Sequence, residues 1–204
     1  MNIKITAVAD GPYASNCYVV KSGDEGIIID PSSNPQRIVY EQGIKTVKYI
    51  IVTHAHIDHI FALDEVKKST GAKIAVGEND FNAINNSVLN LAEMFGAAVP
   101  ETKADIALHG GDELLFGNTK IKIISTPGHT CGGISLYTDG CVFTGDTLFK
   151  ESVGRTDFYG GSYESLMSSI KDKLYKLPDN TFVYPGHGES SQIGYEKKNN
   201  FYVV

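Results

Sequence analysis

The sequence predicts an α/β fold in which two sheets are sandwiched between helices. Three observations lead there. A strand-rich block followed by a helical block occurs twice in order along the chain. The run YIIVT (49–53) is short and continuously apolar, as in a strand buried on both faces. The 204 residues, 42% hydrophobic and 21% charged, can bury such a core without staples. No linker, charge block or repeat divides the chain, so a single domain over 1–204 is expected.

Taken in order, Ile3, Ile5 and Ala7 alternate with polar or small residues. CYVV and GIIID are β-branched runs separated by the turn SGDEG, and all three segments read as strands. Ser33 and Pro35 open a helix that runs through about Gln42 and is ended by Gly43. After YIIVT, a helix is expected from about His59 to Ser69, stopped by Gly71. KIAVG is a further strand. Residues 78–96 look helical, with Leu89, Ala92 and Met94 among their apolar positions. ELLF, TKIKIIS, GISLYT and CVFTG return to strands, with turns at Gly117, Gly132, Gly133 and Gly140. A long loop leads to a helix from about Ser162 to Lys176, in which Leu166, Ile170 and Leu174 fall at helical spacing. TFVYP is the last strand.

Composition narrows the function classes. A net charge of −6 repels phosphate backbones and argues against nucleic acid as a partner. Cys17, Cys131 and Cys141 are odd in number and form no C-x-x-C pair, which fits a reducing compartment rather than a disulfide framework. No basic leader with an apolar run opens the chain, and no apolar run approaches the roughly 18 residues of a membrane span. A cytoplasmic protein without membrane partners is expected.

The chemistry concentrates in T-H-A-H-I-D-H, residues 53–59. His54 and His56 stand two apart just past a buried strand, where i and i+2 point the same way and two imidazoles can converge on one cation. Asp58 and His59 turn toward a second point nearby. His129 in TPGHT, Asp146 in FTGD and His187 in YPGHG each follow a strand inside a glycine-containing turn. One such residue alone is usually surface or a cap; joint occurrence is what argues for metal. The count suits two metals, with His54, His56 and His129 at one and Asp58, His59 and His187 at the other. Asp146 can bridge, and each ion keeps an open position for a shared water. Arg155 would either hold a substrate carboxylate or pair with Asp157 or Glu151. Cys131 reads as a small buried apolar residue, Tyr159 as packing and His109 as surface.

THAHIDH together with TPGHT, FTGD and PGHG resembles the metallo-β-lactamase superfamily, from Cys17 to His187. The resemblance implies an αβ/βα sandwich with metals in a cleft at one edge. True metallo-β-lactamases generally lack the bridging aspartate at the Asp146 position, and the pattern is more similar to glyoxalase II. DTLFKESVGRTDFYGGS (146–162) and IGYEKKNN (193–200) resemble short bacterial glyoxalase II-like hydrolases. Full glyoxalase II proteins add a C-terminal helical domain that grips glutathione, for which the 17 residues after His187 leave no room. Where that family has a lysine followed by an aromatic pair, this sequence has Arg155-Thr156-Asp157.

The resemblance thus implies hydrolysis of a small-molecule thioester, such as a 2-hydroxyacyl-glutathione, by a metal-bridging hydroxide. Asp58 would bind the second metal and accept a hydrogen bond from the nucleophile. Two divalent ions are implied, zinc first, with iron and manganese equally suited to histidine and aspartate. The alternative implied by GRTDF is an iron-dependent persulfide dioxygenase, whose iron would sit on His54, His129 and Asp146.

Overall fold

The apolar runs at the start of the chain pair with one another into the first sheet. In the computed structural model, which describes residues 3–39, 43–138 and 140–203, this sheet has the order β1 (Lys4–Val8), β2 (Cys17–Ser22), β3 (Glu25–Ile29), β4 (Thr46–Val52), β5 (Lys73–Gly77) and β6 (Ile106–Leu108). The first two pairings are antiparallel and the last three parallel. The second sheet runs β7 (Glu113–Phe116), β8 (Thr119–Ser125), β9 (Ile134–Thr138) and β10 (Cys141–Gly145), then β13 (Phe182–Pro185) and β14 (Ser191–Gln192). β10 and β13 are parallel neighbours. A two-stranded hairpin, β11 (Leu148–Phe149) with β12 (Ser152–Val153), projects after β10.

Three separate apolar clusters establish the layers. Successive residues of a strand face opposite sides of its sheet. Ile27, Ile29 and Ile51 accordingly meet Ile121, Ile123, Leu136 and Phe143 between the two sheets. Their neighbours Ile28, Ile50 and Val52 face the other way, onto Ile38 of α1 (Pro35–Val39) and Leu63 and Val66 of α3 (Leu63–Thr70). Val142 and Val183 pack against Leu166 of α5 (Tyr163–Ser168) and Ile193 of α6 (Ile193–Asn199). The αβ/βα sandwich is therefore present.

Several helices differ from the sequence reading. The helix expected over 59–69 is split into α2 (Ile57–Ile60) and α3, the latter ending at Gly71 in the left-handed region (φ 66°). The expected end of α1 lies outside the described residues. Residues 78–96 form a 3-10 turn (Glu78–Asp80), turns, and only the four-residue α4 (Ala92–Phe95). Asparagines there compete with the helical ladder: Asn86 Oδ1 accepts from Val88 N and Leu89 N, and Asn90 Oδ1 accepts from Ala92 N. The expected 162–176 helix has Ser162 as its N-cap, accepting from Ser165 N, and continues past α5 through π and 3-10 turns to Lys176.

Both sheets aim their strand ends at one edge. β4, β8, β10 and β13 finish there, and the loops that leave them clasp each other. Ile134 N donates to Thr53 O (2.9 Å), Gly186 N to Gly145 O (2.8 Å) and Asn16 N to Gly186 O (2.7 Å). The Tyr18 hydroxyl donates to Pro185 O at 2.7 Å. Gly145 is obligatory in this clasp: its φ is 48°, and a Cβ would lie 2.4 Å from Thr53 Oγ1.

Candidate metal centre

At that edge seven side chains converge. His54 and His56 leave the end of β4, Asp58 and His59 sit on α2, and His129, Asp146 and His187 follow β8, β10 and β13. The ligand atoms of His54, His56 and His129 lie within 4.8 Å of one another, and so do those of Asp58, His59, Asp146 and His187. Asp146 joins the groups: its Oδ2 is 3.6 Å from His129 Nε2 and 3.7 Å from His187 Nε2, while its Oδ1 is 3.3 Å from His59 Nε2. Every residue expected to ligate a metal is thus in one of two adjoining groups.

The donor set fits divalent metals. His54 Nε2, His59 Nε2 and Asp146 Oδ1 are buried with no hydrogen-bond partner, an arrangement that costs free energy unless a cation uses those lone pairs. His56 Nδ1 faces His129 Nε2 at 2.9 Å, as two ligands of one ion would. The space is kept open by Gly186, where a Cβ would collide with Asp146 Oδ1 at 2.2 Å and His59 Cε1 at 2.6 Å.

Outer partners fix which nitrogen is available. Arg155 O, 2.7 Å away, accepts from His129 Nδ1, so Nε2 keeps its lone pair. Asp30 does the same at two places. Its Oδ2 lies 2.9 Å from His59 Nδ1 and accepts from Thr53 Oγ1 at 2.6 Å, while its Oδ1 accepts from Thr53 N at 2.7 Å. With the Thr53 hydroxyl proton committed to Asp30, its oxygen accepts from His54 Nδ1 at 3.2 Å. One buried carboxylate therefore orients a histidine in each group. Asp80 ties the two motif loops together by accepting from Ala55 N, Thr130 Oγ1 and Gly132 N. Burial nonetheless pushes the Asp80 carboxyl up.

The two groups differ in electrostatics. Burial, then the neighbouring imidazoles, hold His54 well below the ordinary histidine value and His56 at about 3. These rings are neutral and ready to ligate. Burial also disfavours a charged His59, but Asp58, Asp146 and Asp30 outweigh it and raise its pKa well above the ordinary value. His187 is raised against burial by its contact with Asp58, 3.1 Å from its Nε2. Burial likewise opposes ionisation of Asp58 and Asp146, yet His59 foremost keeps both below the usual carboxylate range. The second group is thus a salt-bridged cluster whose protons a metal would displace.

Outside the two ligand groups, Arg155 pairs with Asp157. Its Nε and a terminal nitrogen each donate to an Asp157 oxygen at 2.7 Å, and its guanidinium lies 4.0 Å over the Phe158 ring. Cys131 is exposed rather than buried, with its Sγ 3.7 Å from Asn79 O. Tyr159 is 76% exposed and so is not packing. His109 is at the surface as expected, paired with Glu78. The sequence reading missed Asp30, Thr53 and Asp80. The sole signal for Asp30 was a carboxylate closing the apolar run GIIID.

Comparison with known proteins agrees with this geometry. The model of the metallo-beta-lactamase superfamily matches residues 10–187. A probable metallo-hydrolase of Bacillus subtilis, YqgX, is 37% identical over 93% of this chain and 92% of its own. The hydroxyacylglutathione hydrolase GloC of Haemophilus influenzae is 32% identical over 98% of this chain and 97% of its own. Among solved structures, the B3 metallo-beta-lactamase BLEG-1 superposes with a TM-score of 0.92 at 29% identity, covering 98% of this chain and all of that one. The di-iron-bound form of TTHA1623 gives 0.86 at 31% identity over 97% of this chain and 99% of that one. ETHE1 from Myxococcus xanthus gives 0.78 at 27% identity over 97% and 83%. The chain belongs to the metallo-β-lactamase superfamily.

Proposed function

We propose that this chain is a dinuclear metallohydrolase that cleaves thioesters of the 2-hydroxyacyl-glutathione class. The carrying observation is the pair of ligand groups joined through Asp146, with three orphaned buried atoms among them. His54, His56 and His129 would hold one divalent ion, Asp58, His59 and His187 the other, and Asp146 would serve both. When bound, two such ions lower the pKa of a shared water to about 7 and polarise the substrate carbonyl. Zinc is the first candidate, and iron or manganese suits the same donors.

The chain's own residues then position the reaction. Asp58 Oδ2 already contacts Ser15 Oγ (3.3 Å) and His187 Nε2 (3.1 Å). From there it would accept a hydrogen bond from the attacking water and aim its lone pair at the carbonyl carbon. Asp30 and Arg155 O keep His59, His54 and His129 in the tautomers that ligation needs. The C–S bond breaks, and the thiolate takes a proton from solvent at the open mouth. The likeness to GloC supports the substrate class.

A second reading, a persulfide dioxygenase, is favoured by the likeness to ETHE1 and by the proximity of His54, His129 and Asp146. One screen decides. The metal-loaded protein is given S-lactoylglutathione, glutathione persulfide with an oxygen electrode, and a β-lactam. Thiol release without oxygen uptake is expected. Oxygen consumption with no thioester cleavage would replace the hydrolase reading.

A further inference from the structure

A cavity of about 270 Å³ opens over the metal ligands, and much of its remaining lining is apolar: Tyr13, Leu91, Phe95 and Phe158, together with Arg155. Tyr13 sets its ring edge-on to Phe95 (centroids 5.7 Å) and to Phe61 (5.9 Å). Phe95 and Phe61 are 49% and 50% exposed, so apolar surface continues from the cavity to its mouth. A contiguous apolar patch beside a cleft marks a place where a ligand is covered from water.

Leu91 is held in this wall against its backbone preference. Its φ is 66°, a left-handed conformation that glycine and asparagine adopt readily and leucine does not. Asn90, fully buried, enforces it. The Asn90 side chain donates to Ile84 O (2.8 Å) and accepts from Ala92 N (2.9 Å), and its carbonyl accepts from Ile57 N (2.8 Å). The last bond ties the wall to the helix that carries Asp58 and His59. Strain that persists at a cavity wall motivates a functional role.

The cation of the same lining is already matched. Both Asp157 oxygens accept from Arg155 at 2.7 Å, and its guanidinium is stacked on Phe158. A substrate carboxylate would have to displace Asp157 from a bidentate contact.

We propose that this wall selects 2-hydroxyacyl groups bearing a neutral apolar arm, aryl or branched alkyl, over those bearing a methyl or a carboxylate. Leu91 and Phe95 are the specificity-determining residues. The inference rests on the thioester reading for its substrate, but recognition of the arm is measurable apart from the chemistry.

The test is calorimetric binding of mandelate, lactate and malate to the zinc-loaded protein. Mandelate binds about tenfold tighter than lactate, the expected value of resting a phenyl ring on an apolar wall. Malate binds no tighter than lactate. Leu91→Asn, which suits a positive φ, and Phe95→Ala both bring mandelate to within about twofold of lactate. Equal binding of mandelate and lactate by the wild type, tightest binding of malate, or a mandelate preference that survives both substitutions would overturn the proposal. Turnover of S-mandeloyl- and S-lactoylglutathione by the same samples is a separate readout. A mandelate preference in a protein that cleaves neither thioester upholds the wall and removes the hydrolase reading.

Discussion

The floor of the cleft and its rim are built on different principles. On the floor, buried side chains are over-determined: Asp30 alone receives Thr53 N, Thr53 Oγ1 and His59 Nδ1. At the rim, Arg155 and Asp157 are more than half exposed and bond chiefly to each other. Each floor contact is worth more, because a buried partner left unsatisfied keeps its full desolvation cost. An exposed ion pair contributes about 0–1 kcal/mol. Buried contacts therefore fix the two ligand groups, whereas the exposed Arg155–Asp157 pair can change at little cost.

Substitutions should follow that gradient. Asp146→Ala removes the group shared by both ligand sets and should lower turnover on the order of 10³-fold with loss of bound metal. Normal activity in that variant would break the comparison at its strongest point. Asp30→Ala touches no metal position directly, yet it should weaken metal affinity roughly 10–100-fold and cost roughly 1–3 kcal/mol of stability. Metal titration and chemical denaturation check the two effects. A variant that loses stability but keeps wild-type metal affinity would reduce Asp30 to packing.

Acid should separate the two ligand groups. His59 and His187 have raised pKa values, so in the metal-free protein protons compete for those nitrogens more strongly than for an ordinary histidine, and harder as pH falls. His54 and His56 have lowered values, with His56 at about 3, so protons compete there only in strong acid. Metal bound at Asp58, His59 and His187 should therefore be released first on acidification from pH 7 to pH 5. Stepwise dialysis with elemental analysis checks this; simultaneous loss of both ions would contradict it.

At the rim, Arg155→Ala should change stability by less than about 0.5 kcal/mol and KM for S-lactoylglutathione by less than about threefold. A large rise in KM would mean that the guanidinium leaves Asp157 to hold substrate.

What was legible in the sequence follows the same division. His54, His56, Asp58, His59, His129, Asp146 and His187 could be read because metal ligation admits few residue types and the strand ends fix their spacing. The longer strands could be read from their apolar runs, whereas β6, β11, β12 and β14, two or three residues each, are too short to show a pattern. Residues 78–96 could not, because Leu89, Ala92 and Met94 fit a helical period while the Asn86 and Asn90 side chains take the backbone N–H groups that a helix would use. Asp30 and Asp80 were missed because their partners lie 23 to 52 residues away. The rim was ambiguous for a different reason: Asp157 lies close to Arg155 in sequence, yet nothing local distinguishes an arginine that waits for substrate from one that holds Asp157.

The two-metal site is tested most directly by a zinc titration of metal-free protein with S-lactoylglutathione hydrolysis followed at each step. Activity should continue to rise as the second equivalent is added and level off near two ions per chain. Full activity at one equivalent, with no gain from the second, would contradict it.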